Sequence, residues 1–265
     1  MAEQNSNSTD KVKIRGGKEV ANDLNESMAK KRAIKNPIQR KIKLNQFPWT
    51  EKQKDFFRIA LDYNTKIVFV GGPAGTSKTL LATYCGLQLL NMKTISDIMY
   101  LRSAVESSDK SLGYLPGDAN EKLRFYNLPL LDKLGELLTE STAQKLEDQN
   151  RVSMFPVNFA RGMNWQDKCI ILDEAQNSTK KEIITVLTRM GKGSRAFILA
   201  DPMQTDLRNE SVKGGFEELH KIFSDEESQN MGVYNFQFTE DDIMRSELVK
   251  FLIKKMNKES SGPPN

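Results

Sequence analysis

The stretch that decides the fold runs KIVFVGGPAGTSKTLLATYCGLQLL from Lys66 to Leu90. It begins with a short apolar, β-branched run, continues through a glycine-rich turn, and ends in an apolar stretch that suits a helix. Strand, glycine-rich turn and helix in this order bind phosphate, because the helix N-terminus presents free backbone N–H groups and the positive end of its dipole. The sequence therefore predicts a phosphate-binding loop.

The turn itself matches the pattern Gly-x-x-x-x-Gly-Lys-Thr at all but one of its fixed positions. The residues expected to hold a nucleotide are Gly72, Pro73, Ala74, Gly75, Thr76, Ser77, Lys78 and Thr79. Lys78 is expected to reach the β- and γ-phosphates, and the Thr79 hydroxyl to bind Mg²⁺. Ser77 stands where the pattern has its second glycine. Since serine can adopt helical dihedral angles in a first helical turn, we expect binding to survive. The alternative is a glycine-rich turn that precedes Lys-Thr by chance.

A second apolar run, from Lys168 to Leu172, ends in the acidic pair Asp173 and Glu174. At the carboxyl end of a strand, Asp173 is expected to hold Mg²⁺ through water, and Glu174 to orient or deprotonate an attacking water. The adjacent glutamate favours hydrolysis over phosphoryl transfer to a small acceptor. An acidic pair that only ends a strand is the alternative.

Two glutamines are further candidates for nucleotide contacts. A third apolar run leads into Asp201-Pro-Met-Gln204; in P-loop ATPases with a catalytic glutamate this strand lies between the other two, so Gln204 is the candidate γ-phosphate sensor. The alternative is an Asp-Pro turn with exposed polar residues. Gln53, in the segment Thr50-Glu-Lys-Gln, is a candidate for pairing with N6 and N7 of adenine, which would make ATP the ligand. An ordinary helix start explains the same segment equally well.

Composition excludes several classes of protein. The chain has 265 residues, of which 38% are hydrophobic and 28% charged, as in ordinary globular domains. No apolar run approaches the ~18 residues of a membrane span, and the polar N-terminus lacks a secretory signal, so we expect a cytoplasmic protein with no membrane partner. Two cysteines, Cys85 and Cys169, and one histidine exclude a disulfide framework and a histidine-based zinc site. Both cysteines are interpreted as buried.

The surplus positive charge lies in residues 1–45, which hold eleven lysine and arginine residues against five acidic ones. This arm lacks sustained apolar periodicity, so we expect it to be disordered and the domain to span residues 46–258, with a disordered tail over 259–265. A basic arm can follow the phosphate backbone of a nucleic acid or act as a solubilising tail. Charge alone leaves both interpretations open.

The whole pattern predicts a single α/β domain with a mostly parallel sheet and helices on both faces. Its ligands are expected at the carboxyl ends of the strands. The strands are expected at residues 66–70, 97–101, 152–157, 168–172, 196–200 and 233–238, and the helices near 78–91, 119–139, 179–190, 214–223 and 241–256.

Several further motifs occur in order along the chain. They are Leu101-Arg-Ser-Ala-Val-Glu106, Leu112-Gly-Tyr-Leu-Pro-Gly-Asp118, Arg161-Gly162, Leu172-Asp-Glu-Ala-Gln-Asn177, Leu187-Thr-Arg-Met-Gly191, Asp201-Pro-Met-Gln-Thr-Asp206 and Asp242-Ile-Met-Arg245. Together with the phosphate-binding loop, they resemble the PhoH-like ATPase family, which is related to the first RecA-like domain of superfamily 1 helicases. The resemblance covers roughly Gln46 to Lys255, and Ser77, Ser103 and Ala200 depart from it. It implies a RecA-like domain that hydrolyses ATP with Mg²⁺.

The resemblance also implies partners and further site residues. Arg189 and Arg245 resemble phosphate-contacting arginines, supplied within the chain or by a neighbouring subunit of a homo-oligomer, often a hexameric ring. The implied partner is RNA or single-stranded DNA, near Arg102, Glu106 and residues 114–117. The aromatic residues Phe125, Tyr126 and Trp165 either stack on bases or belong to the core. A bacteriophage source is implied as well. The alternative function is a nucleotide-gated assembly or regulatory factor with weak hydrolysis.

Overall fold

The computed structural model describes residues 34, 36–103, 119–202, 204, 214–244, 247–248 and 251, and within 119–127 it describes the backbone alone. The elements, in chain order, are α1 (Glu51–Leu61), β1 (Ile67–Gly71), α2 (Lys78–Asn91), β2 (Asp97–Arg102), α3 (Ala119–Leu137), α4 (Glu140–Asp148), β3 (Val152–Pro156), β4 (Lys168–Asp173), α5 (Lys180–Leu187), β5 (Arg195–Ala200), α6 (Gly215–Ile222), α7 (Glu226–Asn230) and β6 (Val233–Gln237). Short 3₁₀ helices cover Val157–Ala160, Ala175–Asn177 and Glu240–Asp242.

The strands form one parallel sheet of six, in the order β3-β2-β4-β5-β1-β6. β5 lies between β4 and β1, as the sequence predicted. Because all the strands run the same way, their carboxyl ends meet at one edge, where Gly71 is level with Ala200 and Arg102 with Asp173. The ends of β1, β4 and β5 therefore bring the phosphate-binding loop, the acidic pair and Asp201 to one place.

Alternation along the strands builds a core on each face of the sheet. In β1, for example, Val68 and Val70 belong to the core that α1, α2 and α3 cover. Phe69, between them, packs on the other face with Ile183 of α5 and Phe216 of α6. The predicted α/β fold with helices on both faces is confirmed.

The boundaries of the predicted strands and of the first four predicted helices agree with the structure within a few residues, whereas α4 and α7 were not predicted. α1, which is one of the two interpretations of the Thr50 segment, begins with a capping box between Thr50 and Gln53. The predicted helix at 241–256 falls mostly outside the described residues, and its start is instead the 3₁₀ turn Glu240–Asp242.

The predicted disorder up to Asn45 is wrong for its last part, residues 36–45, here called the strap. The strap has neither helix nor strand, and it buries Ile38, Ile42 and Leu44 in the core beside α2 and α3. Its backbone at Ile42 exchanges two hydrogen bonds with the Asn91 side chain, at 2.7 and 3.0 Å. Three apolar residues among basic ones gave no helix or strand periodicity, which is why the pattern suggested disorder. Residues 1–33 lie outside the described part of the chain.

The strap also fixes the end of α3. Asn45 donates its backbone N–H to the Leu137 carbonyl at 2.9 Å and its side-chain amide to the Glu136 carbonyl at 2.8 Å. These two bonds satisfy carbonyl groups that the end of a helix leaves without partners. The strap thereby sets the position of the last turn of α3 beside the sheet.

Candidate nucleotide-binding site

The phosphate-binding loop joins β1 to α2 and packs tightly against the segment that follows β6. Gly72 has φ = 153°, and a Cβ atom there would lie 2.7 Å from the Cβ of Phe238, so only glycine fits without displacement. The Gly75 carbonyl accepts a hydrogen bond of 2.8 Å from the Met244 N–H. Within the loop, the buried Thr76 hydroxyl donates to the Pro73 carbonyl at 2.9 Å. The segment that follows β6 thus contacts the loop at two points, and the Thr76 hydroxyl adds a hydrogen bond within the loop.

Ser77 does not have the helical dihedral angles that the sequence led us to expect. It precedes α2 in the left-handed region, at φ = 65° and ψ = 22°, a conformation that costs a non-glycine residue about 1–2 kcal/mol. The backbone path of the loop is therefore the one that a glycine adopts readily. The protein keeps this path in spite of the serine.

Lys78, the first residue of α2, points its ammonium group into the loop. The Nζ atom donates to the carbonyl oxygens of Gly72 and Pro73 at 2.6 and 3.0 Å. Burial lowers the pKa of Lys78, while the neighbouring Asp201, Asp173 and Glu174 oppose that shift. The ammonium thus lies among carbonyl and carboxylate oxygens in a partly desolvated place that suits the binding of phosphate.

Asp173 accepts hydrogen bonds at the carboxyl end of β4. Its Oδ2 atom receives the Thr79 hydroxyl at 2.9 Å and the Tyr100 hydroxyl at 2.8 Å. Burial, followed by the charge of Asp173, raises the pKa of Tyr100 well above its usual value, so the phenol stays protonated and donates. Tyr100 carries no sequence signal of a role, because the contact joins two strands distant in the chain.

The Glu174 carboxylate is held from two directions. Gln176 Nε2 donates to its Oε2 atom at 2.6 Å, and Arg102 Nη2 lies 3.8 Å from its Oε1 atom. Glu174 itself has left-handed backbone angles, φ = 53° and ψ = 41°. A strained backbone of this kind occurs often at functional sites. Gln176 belongs to a motif seen in the sequence, yet its contact with Glu174 became visible only in the structure.

A cavity of about 350 Å³ opens at this edge of the sheet. It brings together residues of the loop, of both acidic strand ends and of α3. Its lining comprises Ala74, Gly75, Ser77, Lys78, Thr79, Leu80, Lys133, Glu136, Asp173, Glu174, Gln176, Leu199, Ala200, Asp201, Gln204 and Met244. Lys133 and Glu136, which carry no motif in the sequence, come from the end of α3 that the strap holds. The volume falls within the range of small-ligand sites.

Two predicted site residues lie away from this lining. Gln53 is 4% exposed, and its Oε1 atom accepts the Thr50 N–H at 3.0 Å in the capping box. Arg189 follows α5, and its carbonyl accepts the N–H of Trp165, which precedes β4. Because β4 enters the sheet near Trp165 and leaves it at Asp173, Arg189 lies at the opposite edge. The structure therefore does not bring Arg189 to the cavity of its own chain.

The remaining predictions have different outcomes. Trp165 is 3% exposed and packs in the core, as one of the two alternatives had it. Arg245, Glu106 and residues 114–117 lie outside the described residues, as do the side chains of Phe125 and Tyr126. Among the residues that the structure does describe, no helix is long and apolar enough to cross a membrane.

Comparison with known proteins finds similarity over most of the chain. The family model described as PhoH-like protein matches residues 47–257. A PhoH-like protein of Synechocystis is 32% identical over 216 residues, which are 81% of this chain and 63% of that protein. A PhoH-like protein of Bacillus subtilis is 32% identical over 89% of this chain and 70% of its own length, and one of Mycobacterium bovis 34% identical over 78% and 56%. The chain thus spans little more than half to about two thirds of these relatives.

Proposed function

Because the chain belongs to the PhoH-like protein family, a family of P-loop nucleotide-binding proteins, we propose that it binds ATP with Mg²⁺ and hydrolyses it. The observation that carries the proposal is that one cavity collects Lys78, the hydrogen-bonded pair Thr79 and Asp173, and Glu174. These are the groups that neutralise phosphate charge, hold a divalent cation and take a proton from water.

The loop and Lys78 account for nucleotide binding. The N-terminus of α2 offers backbone N–H groups to an anion. Lys78 Nζ, which now donates to two loop carbonyls, exchanges them for β- and γ-phosphate oxygens when a nucleotide enters. Gln53 remains our candidate for recognising adenine, which requires its amide to leave the capping box or share it.

The oxygen atoms of Thr79 and Asp173 fit Mg²⁺. This ion prefers oxygen ligands and usually keeps several waters, so one hydroxyl, one carboxylate and substrate phosphates suffice. No cluster of three or more metal-ligating side chains occurs among the described residues, which fits an ion held largely by substrate and water. When bound, Mg²⁺ supplies charge neutralisation of the β- and γ-phosphates.

Glu174 is the proposed general base. It accepts a proton from a water molecule whose oxygen forms a bond to the γ-phosphorus. As that bond forms, the bond from phosphorus to the β–γ bridging oxygen breaks and leaves its electron pair on the ADP oxygen. Gln204, which lines the same cavity, is the proposed contact for the γ-phosphate. The products are ADP and inorganic phosphate.

The test uses the full chain and measures phosphate release and the binding of a non-hydrolysable ATP analogue. Lys78→Ala should lose analogue binding, whereas Glu174→Gln should keep binding and lose roughly 10²–10⁴-fold in turnover, the usual contribution of a general base. Lys54→Ala, which breaks an exposed ion pair of 2.7 Å on α1, is the matched control. Near-normal turnover by Glu174→Gln would refute the assigned base. Binding without hydrolysis by the unaltered chain would favour the assembly or regulatory factor.

RNA or single-stranded DNA is the partner that we propose. Supporting it, the strap exposes Arg40, Lys41 and Lys43 while its apolar residues face the core. Residues 1–33, the part of the arm before the strap, carry further positive charge. Deleting residues 1–33 spares the strap, so any fall in oligonucleotide affinity reports on that part of the arm alone. We expect the slope of log affinity against log salt to become shallower by about 0.7 for each phosphate that the arm no longer neutralises. An unchanged slope would make the arm a solubilising tail.

We also propose that the active form is a homo-oligomer, with the hexameric ring that the family resemblance implies as its expected form. Arg189 lies at the edge of the sheet opposite its own cavity, about 20 Å away as judged from the length of the six-residue strand β4. This position suits contact with the nucleotide of a neighbouring subunit rather than with its own. Arg245 follows Met244, whose N–H binds the loop, and remains the second proposed arginine. Light scattering with and without nucleotide measures the subunit number, and a monomer under both conditions would refute this proposal.

A further inference from the structure

The two groups that hold the Glu174 carboxylate differ in how firmly they do so. Gln176 is 3% exposed, donates to Glu174 Oε2 at 2.6 Å, and accepts the backbone N–H of Asp201 at 3.0 Å. It is therefore tied to the ends of both β4 and β5. A buried amide with both of its ends bonded is expensive to displace, because each broken bond leaves a buried polar group unpaired. Gln176 therefore stays bonded to the Oε2 atom of Glu174.

Arg102 is the looser of the two. Its Nη2 atom lies 3.8 Å from Glu174 Oε1, which is longer than a hydrogen bond, and the two side chains are 34% and 39% exposed. Exposed ion pairs of this kind contribute little free energy and exchange readily with other partners. Arg102 also occupies the last position of β2, level with Asp173, so its guanidinium lies at the edge of the sheet where the chemistry is proposed.

An oxygen atom attracted by a guanidinium is less available to accept a proton from water. If a stronger anionic partner takes the guanidinium, Oε1 becomes available while Gln176 keeps the carboxylate in place. Arginine binds phosphate groups in a bidentate geometry and prefers them to a distant carboxylate. A phosphate on a polymer that reaches the edge of the sheet is therefore the partner that fits this exchange.

We propose that Arg102 restrains Glu174 until the backbone of a single-stranded polynucleotide captures its guanidinium, so that Arg102 couples polynucleotide binding to hydrolysis. Arg102 acts through Glu174 and is a positioning residue, since it does not belong to the lining of the cavity. The inference rests on the proposed function, because it names the regulation of the same site.

The first test measures ATP turnover of the full chain with and without oligo(dT) or poly(U). In Arg102→Gln the basal kcat should rise roughly two- to fivefold, the worth of one exposed ion pair, and the polymers should stimulate it no further. Arg102→Lys, which keeps the charge, should retain the low basal rate and most of the stimulation. Affinity for the ATP analogue should change less than about twofold in both variants. The matched control is Arg58→Gln, which removes an arginine from an exposed pair with Asp55 on α1 and should behave as the unaltered chain.

A second measurement separates coupling from a structural role. Arg102→Gln should reduce the slope of log oligonucleotide affinity against log salt by about 0.7, as expected when one phosphate of a single strand is no longer neutralised. A purely structural effect would leave that slope unchanged. An unchanged slope, or a lower basal kcat with intact stimulation, would overturn the inference, as would an unaltered chain that hydrolyses ATP but ignores both polymers. Absence of any hydrolysis would instead refute the proposed function itself.

Discussion

Gly72→Ala offers the sharpest test of how the phosphate-binding loop is built. The new methyl group would lie 2.7 Å from the Cβ and 3.1 Å from the carbonyl oxygen of Phe238, and its backbone would have to keep φ = 153°. The strained backbone costs about 1–3 kcal/mol and the steric overlap about as much again. We expect the free energy of unfolding to fall by about 2–6 kcal/mol, and ATP-analogue affinity to fall with it because the loop must shift.

The matched control introduces the same methyl group elsewhere. A Cβ atom at Gly135, on the exposed side of α3, would meet nothing within 4 Å. Since glycine is a poor helix former, Gly135→Ala should stabilise the protein by about 0.5–1 kcal/mol. Thermal unfolding measures both variants, and each kcal/mol shifts Tm by about 2–4 °C for a domain of this size. Equal melting temperatures for Gly72→Ala and the unaltered chain would refute the described packing of the loop.

Two further predictions concern buried side chains of strands β2 and β4. Tyr100→Phe removes the hydroxyl that donates to Asp173 at 2.8 Å, and it should lower the free energy of unfolding by about 1.5–3 kcal/mol, the contribution of a hydrogen bond to a charged group. The control Tyr84→Phe breaks only a neutral hydrogen bond of 2.8 Å and should cost less. Equal losses in thermal melts would contradict the assignment. Burial raises the pKa of Cys169 from 9.0 to about 12, so the stability that its protonated thiol contributes is complete below pH 9 and is lost as the pH rises toward 12. The free energy of unfolding, measured with urea at stepwise higher pH, should therefore decline less steeply for Cys169→Ala than for the unaltered chain, by up to about 1.4 kcal/mol per pH unit. Parallel curves would disprove this.

The parts of the fold that could be predicted from the sequence are those that local order specifies. The apolar run before Gly71 predicts a strand, and the glycines predict the turn that follows it. The apolar run that leads to Asp173 predicts a second strand in the same way. Parallel strands then place their carboxyl ends together, which is why the meeting of Lys78 with Asp173 followed from topology.

The features that the sequence did not predict depend on contacts between distant segments or on backbone angles. Tyr100 and Gln176 act through single hydrogen bonds to neighbouring strand ends, and no spacing in the chain encodes such bonds. Ser77 was visible as a departure, but its left-handed angles follow from the path of the whole loop. Arg189 was assigned by resemblance to the family, and a resemblance in sequence does not give the distance between a residue and the cavity.

The strap has a practical consequence for anyone who shortens this protein. The family model begins at residue 47, whereas the folded body begins about ten residues earlier. A chain trimmed to Phe47 would uncover the places of Ile38, Ile42 and Leu44, whose burial is worth roughly 5–9 kcal/mol, against about 5–15 kcal/mol for a whole domain. It would also lack Asn45, which anchors the turn of α3 that walls the cavity. The minimal unit that folds and offers a complete pocket is therefore longer at its N-terminus than the region that the family model matches.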